Sequence, residues 1–151
     1  MIITAVTPDN ENVQVLRRVY EAWDAMDFET VFGLLDPEVA WVNPDYAVEP
    51  GTRRGHDGFA TALRNLAASF DEYSHVLGEV VDFGDRLLWH TIFRARGRDS
   101  GAVVDIPEQH LWTMRDGKVL ELRWFHDTAE AEQVAHDASQ SEDSRIADER
   151  A

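Results

Sequence analysis

Glu108 and His110 stand two residues apart in a stretch of strand character, and tryptophans at positions 23, 41, 89, 112 and 124 fall in five separate predicted elements. Side chains two apart in a strand share a face, with Cα atoms about 6–7 Å apart, so this carboxylate and imidazole can meet directly or through a water. A partly buried histidine beside a carboxylate can take or give a proton near neutral pH, and the carboxylate fixes its tautomer. Asn43, at the end of the first long strand, offers an amide that could hydrogen-bond a developing oxyanion. His110, Glu108 and Asn43 are therefore the catalytic candidates, with His110 as shuttle and Glu108 as its orienting partner. The competing reading makes His110 a core histidine satisfied by a neighbour.

Around these residues the aromatic side chains suggest a pocket wall. Glu108, His110, Trp112 and Met114 share one strand face, which Leu122, Trp124 and His126 would continue on the next strand. Trp23 and Asp24 close the first helix, Trp41 lies in the first long strand, Tyr46 in the loop after it, Phe59 on the third helix and Trp89 on a later strand. Aromatics drawn from distant segments imply a cavity for a small apolar ligand, ring-containing and bearing a carbonyl or hydroxyl.

Other chemistries find less support. The chain has no cysteine, and His75, His90, His110 and His126 lie singly on four predicted strands, so no metal site is expected. No glycine-rich phosphate loop or nucleophile elbow is present, and no cofactor is expected. Arg53-Arg54 before the third helix could clamp a carboxylate or phosphate, though solvated loop arginines are the plainer reading. With 14 Lys and Arg against 29 Asp and Glu, the net charge of −15 opposes binding to nucleic acid and to anionic membranes. The N-terminal residues resemble neither a signal peptide nor a membrane span, which makes the cytoplasm the expected location.

The 151 residues suit one domain. Val13, Leu16, Val19, Tyr20, Trp23 and Met26 form the stripe of an amphipathic helix. A short helix over Phe28 to Leu35 and a strand over Val39 to Val42 follow, then a loop from Asp45 to Arg54. A third helix carries Phe59, Leu63, Leu66 and Phe70 on one face. Four strands come next, Tyr73 to Phe83, Leu87 to Arg96, Ala102 to Met114 and Val119 to His126, with tight turns at Gly84-Asp85 and Asp116-Gly117. This order predicts an α+β fold in which three helices cover a bent, mainly antiparallel sheet. Residues 1–9 read as an N-terminal arm, 10–135 as the domain and 136–151 as an acidic, disordered tail.

The order of elements, with Val19-Tyr20-Glu21-Ala22-Trp23-Asp24-Ala25-Met26-Asp27, Leu34-Leu35-Asp36-Pro37-Glu38-Val39-Ala40-Trp41, Arg54-Gly55-His56-Asp57 and Met114-Arg115-Asp116-Gly117-Lys118-Val119, resembles the nuclear transport factor 2-like superfamily in its SnoaL-like branch, over residues 10 to 130. The resemblance implies a cystatin-like cone, a curved sheet around a deep pocket, often in a homodimer. It implies no single reaction, because the fold hosts isomerases, dehydratases, cyclases, epoxide hydrolases and non-catalytic proteins. Ketosteroid isomerases carry a base, a tyrosine donor and a protonated aspartate where this chain is matched by Asn43, Val19 and His110. Scytalone dehydratases have an aromatic-acid pair that Trp23-Asp24 resembles in the acid. SnoaL-type cyclases have a polar strand with a histidine that Glu108-Gln109-His110 resembles.

The expected function is that of a SnoaL-like protein with a deep aromatic pocket, acting as a cofactor-free isomerase, dehydratase or cyclase with His110 moving the proton. The alternative is a non-catalytic ligand-binding or dimeric interaction domain. A homodimer is expected because Leu88 and Ile92, with Leu111 and Phe125, would leave an apolar patch on the outer sheet face, with His90 beside it.

Overall fold

The structure, a computed structural model, describes residues 4–5 and 10–137. A two-residue strand, β1 (Thr4–Ala5), precedes helix α1 (Glu11–Asp24). Asn10 starts α1 by accepting the Val13 backbone N–H on its side-chain oxygen at 3.1 Å. The expected stripe is buried through Trp23, and the helix stops at Asp24, short of Met26, whose φ of 58° is left-handed. Asp27 caps α2 (Phe28–Gly33) through the Thr30 N–H.

Strand β2 (Leu35–Asn43) begins ahead of the expected Val39, because Asp36-Pro37 does not stop it. Pro37 instead falls within the stretch between Leu35 and Ala40 where the pairing register shifts, the place in a sheet that tolerates a missing N–H. The predicted loop also contains a strand, β3 (Gly51–Arg54), antiparallel to β2 with Arg53 opposite Trp41. Helix α3 (Gly55–Ser69) follows, and Gly58 lets it lie against β3, since a Cβ there would sit 2.7 Å from the Arg53 carbonyl carbon.

The last four strands are β4 (Phe70–Asp82), β5 (Arg86–Gly97), β6 (Val103–Arg115) and β7 (Lys118–Phe125). Asp116 and Gly117, at φ 51° and 76°, make the two-residue turn between β6 and β7 that Asp-Gly favours. The sheet runs β1-β4-β5-β6-β7-β2-β3, antiparallel except where β2 meets β7. β5 is therefore an inner strand, and Arg94 reaches across to Asp105 on β6.

The sheet is curved, and α1, α2 and α3 pack in its concavity around a core that includes Leu16, Tyr20, Trp41, Phe59, Trp89, Trp112 and Leu122. A fourth helix, α4 (residues 128–137), was absent from the sequence expectation. Asp127 caps it through the Glu130 N–H, and Ala131 and Ala135 press against Leu88, Leu111 and Phe125. The outer patch expected to need a second subunit is thus largely covered by this chain. Leu88, Leu111 and Phe125 are buried, whereas Val76 and Ile92 are exposed. The disordered tail expected from residue 136 lies outside the described residues apart from His136 and Asp137, which end α4.

Alanine suits α4 because the helix lies close on the sheet. Ala131→Asp would bury a carboxylate against Leu88 and Phe125, and it is expected to lower unfolding free energy by about 2–4 kcal/mol in urea titrations. Wild-type stability in this variant would show that α4 does not cover the sheet.

Candidate functional site

The concave face follows from the register. Trp89 is opposite His110 and His110 opposite Trp124, while Thr91 is opposite Glu108 and His75 opposite Phe93. A cavity of about 640 Å³ opens between this face, α3 and residues 44–50, within the ~300–1,000 Å³ range of small-molecule sites.

Of the residues expected at the site, His110, Glu108, Asn43, Trp23, Trp41, Tyr46, Trp124 and His126 line the cavity. Trp89, Trp112 and Phe59 do not. All three are buried, and Tyr20, projecting from α1, covers Trp89 and Trp112 with its ring 5.4 Å from both. The Trp89 indole N–H is spent on the Gly78 carbonyl at 3.0 Å. Phe59 packs edge-on against Trp41. Asp24 stands one layer back, behind His75.

Tyr20 ties the helix layer to the chemistry. Its hydroxyl accepts from the Trp112 indole N–H at 2.9 Å and lies 2.7 Å from Nδ1 of His110, whose Nε2 is 2.9 Å from Oε1 of Glu108. Trp112 can only donate, so the Tyr20 proton is left for Nδ1, and His110 then carries its own proton on Nε2 towards Glu108. Burial pushes the His110 imidazole below its ordinary pKa, against the opposing pull of Glu108. Burial also raises the Tyr20 hydroxyl well above the usual phenol range, keeping it a donor. The Glu108–His110 contact is accordingly a hydrogen bond from a neutral ring to a carboxylate.

A second carboxylate–imidazole pair faces the first. Asp24, the last residue of α1, accepts the His75 backbone N–H on Oδ2 at 3.0 Å and lies 2.8 Å from His75 Nδ1 through Oδ1. It reaches that backbone on the outer side of β4, where among the described residues only β1 pairs, opposite Val81 and Asp82. With Nδ1 held by the carboxylate, His75 has its Nε2 left without a hydrogen-bond partner among the described residues. The His75 and His110 rings lie 5.5 Å apart.

Asn43 has a different place from the one expected. Its side-chain oxygen accepts the indole N–H of both Trp41 and Trp124 at 2.7 Å, and its amide donates to the Glu49 carbonyl at 2.9 Å. It fixes two walls and one end of residues 44–50. Tyr46 fixes the middle of that segment, accepting the His126 backbone N–H at 2.7 Å.

Tyr20 and His75 were missed as site residues. Tyr20 reads as one more apolar position in the α1 stripe. His75 had a legible signal, the alternation of Tyr73, His75 and Leu77, whose cross-strand partners are Ala95, Phe93 and Thr91. No group of three or more His, Asp or Glu placed to hold a metal occurs among the described residues. No helix among them is long and apolar enough to cross a membrane.

This architecture, a helix-covered curved sheet with polar groups at the base of an aromatic cavity, defines a protein of the nuclear transport factor 2-like fold. The SnoaL-like domain model matches residues 16–122, and the chain belongs to that family. Among solved structures it is similar to a nuclear transport factor 2-like protein of unknown function from Burkholderia pseudomallei, with 27% identity, TM-score 0.70, and coverage of 80% of this chain and 94% of that one. It is also similar to TerC co-crystallised with polyporic acid (23% identity, TM-score 0.71, 84% and 99% coverage). A protein from Jannaschia sp. CCS1 assigned to the SnoaL-like polyketide cyclases shows 22% identity, TM-score 0.69, and 84% and 93% coverage. A search of curated protein sequences gives no match.

The neutral, buried His110 has a consequence for stability. In the unfolded chain a histidine titrates near 6.5, whereas the folded ring stays neutral to lower pH, so on acidification the unfolded state binds the extra proton. Stability is therefore expected to be intact above pH 6.5 and to fall as the pH drops from there through the depressed folded-state pKa. His110→Gln should flatten this decline in urea midpoints measured between about pH 7 and 5. An unchanged slope would mean that the ring is not held neutral.

Proposed function

We propose that this SnoaL-like protein is a cofactor-free enzyme that moves protons on a ring-containing carbonyl or hydroxyl compound, in a reaction of the isomerase, dehydratase or cyclase kind. The observation that carries the reading is the meeting of two carboxylate–imidazole pairs, Asp24–His75 and Glu108–His110, with rings 5.5 Å apart at one end of an aromatic cavity. Reactions that shift a double bond or expel water remove one proton and deliver one, and an imidazole that takes a proton can return it while a neighbouring carboxylate exchanges the proton of a ligand hydroxyl.

The sequence reading makes His110 the shuttle and Glu108 its orienter. The hydrogen bonds favour the reverse. His110 is occupied at both ring nitrogens, whereas Glu108 faces the cavity with one oxygen held by His110 Nε2. In this mechanism His75 Nε2 takes the proton while Asp24 holds the ring and stabilises the imidazolium. The imidazolium then returns that proton at the second position, while Glu108, backed by the His110–Tyr20–Trp112 chain, takes the proton of a ligand hydroxyl and gives it back as product forms. Asn43 shapes the cavity by holding Trp41 and Trp124, and its role as an oxyanion donor is reduced to the N–H not given to Glu49.

The cavity's size and aromatic walls support a ring-containing ligand, and the similar TerC was co-crystallised with polyporic acid. The test is exchange of the α-hydrogens of 2-tetralone and hydroxylated tetralones in D2O, followed by NMR. Wild type should exceed the buffer rate, and Asp24→Asn and Glu108→Gln should each lower the enzymatic rate by about 10²-fold or more while the fold is kept. Binding without exchange would instead establish the non-catalytic pocket.

The proposal includes a homodimer, a cytoplasmic setting and no nucleic-acid partner, the last because the charge of −15 opposes phosphate contacts. The dimer surface is narrower than the sequence implies. It is the row Val76–Ile92–Pro107 across β4, β5 and β6, beside His90 and away from α4. Light scattering should give twice 17.2 kDa for wild type and the monomer mass for Ile92→Glu. A monomeric wild type at micromolar concentration would remove the dimer.

A further inference from the structure

Arg53 is the only lysine or arginine among the residues lining the cavity, and it is the inward position of β3, between exposed Thr52 and Arg54. It stands opposite Trp41 in the sheet, and the first turn of α3 lies against its backbone at Gly58. Its guanidinium is paired with Glu49, whose carboxylate is on the exposed segment over the cavity mouth; the side chains are 27% and 66% accessible. No other side chain among the described residues pairs with Arg53. An arginine held in an aromatic wall needs a counter-charge, and one supplied by an exposed loop residue can be exchanged for another anion.

We infer that Arg53 is the specificity residue of the cavity, and that the ligand is an anionic ring compound whose carboxylate or ionised enol displaces Glu49 from the guanidinium. This inference rests on the proposed ligand-binding role of the cavity and adds the charge and orientation of the ligand. β3 is separated from β6 by β2 and β7, three strand spacings of about 4.8 Å, or roughly 14 Å along the curved sheet. An acidic group on Arg53 therefore leaves the ring system extending across the cavity towards Glu108 and His75. It also keeps the anion away from Glu108, which with Glu49 is one of the two carboxylates lining the cavity. Glu49 serves as the resident counter-ion of the empty site, so ligand entry exchanges one carboxylate for another and strands no charge.

The probes are 2-naphthoate and 2-naphthamide, which share a shape and differ in charge at pH 7.5, titrated by calorimetry into wild type, Arg53→Gln and Glu49→Gln. Wild type should bind naphthoate about tenfold or more tightly than naphthamide. Arg53→Gln should bring the ratio close to one while keeping the naphthamide affinity, and Glu49→Gln should tighten naphthoate alone, because the competing carboxylate is gone. Naphthamide binding serves as the internal check that each variant is folded with an open cavity. A wild-type ratio near one with both compounds bound, or a ratio unchanged in Arg53→Gln, would overturn the role of Arg53 and leave the cavity reading intact. Failure of both compounds to bind wild type would overturn the cavity reading and this inference together.

Discussion

The buried hydroxyl of Tyr20 is the constraint on which the arrangement of the site depends. It joins the helix layer to the sheet at a point closed to water, where an unmatched donor or acceptor costs about 1–3 kcal/mol. Only one distribution of protons satisfies every member of the chain: indole to phenol, phenol to imidazole Nδ1, imidazole Nε2–H to Glu108. A protonated His110 would need to donate through Nδ1 as well, and the Tyr20 proton would then be left without an acceptor. The tautomer at the cavity wall is therefore set by the packing of α1 on β6. Burial holds the ring neutral and outweighs the hydrogen bond and attraction of Glu108, which favour a charged one.

Helix α1 performs the same service at its other end. Asp24 sits one turn beyond Tyr20, on the same helix face, and reaches a stretch of β4 that has no strand neighbour on its outer side among the described residues. A single helix thus fixes both imidazoles, His110 through Tyr20 and His75 through Asp24, and their spacing follows from the helical rise between these two residues. The stacked rings of Tyr20 and Trp23 fill the intervening space. The relative placement of the two pairs is consequently tied to the docking of α1, and every residue of its buried stripe contributes indirectly to the geometry of the site.

The periodicities that report local structure were legible in the sequence. The α1 stripe, the Asp116-Gly117 turn and the shared face of Glu108, His110 and Trp124 all rest on local rules, and the structure follows them. Three features escaped for physical reasons. β3 is four residues long with mostly exposed side chains, so it carries no alternating pattern and exists through its pairing with β2. α4 buries only alanines and Val134, too little apolar surface to distinguish its start from a polar tail. The Asp24–His75 pair joins residues 51 apart and exists through the docking of α1 on β4, which no local pattern reports. Membership of the SnoaL-like family was legible for a different reason: the collinear turn and cap motifs mark the order of elements, which the family model recovers over residues 16–122.

The tryptophans show why residue type marks a site less well than its hydrogen-bond partner does. All five indoles lie on the inner side of the molecule, and each N–H finds an acceptor. Trp89 uses a backbone carbonyl and Trp112 the Tyr20 hydroxyl, and both are sealed in the core. Trp23 uses the Tyr73 hydroxyl, and Trp41 and Trp124 share the single oxygen of Asn43; these three reach the cavity. A buried amide oxygen taking two indole donors holds both rings at fixed angles, and through its own N–H it also holds the Glu49 carbonyl in place. The walls of the cavity and the segment across its mouth are therefore one hydrogen-bonded unit centred on Asn43. The proton-bearing floor has its own anchors, Tyr20 and Asp24 on α1, and meets these walls through Trp23, which packs on both Trp41 and His75.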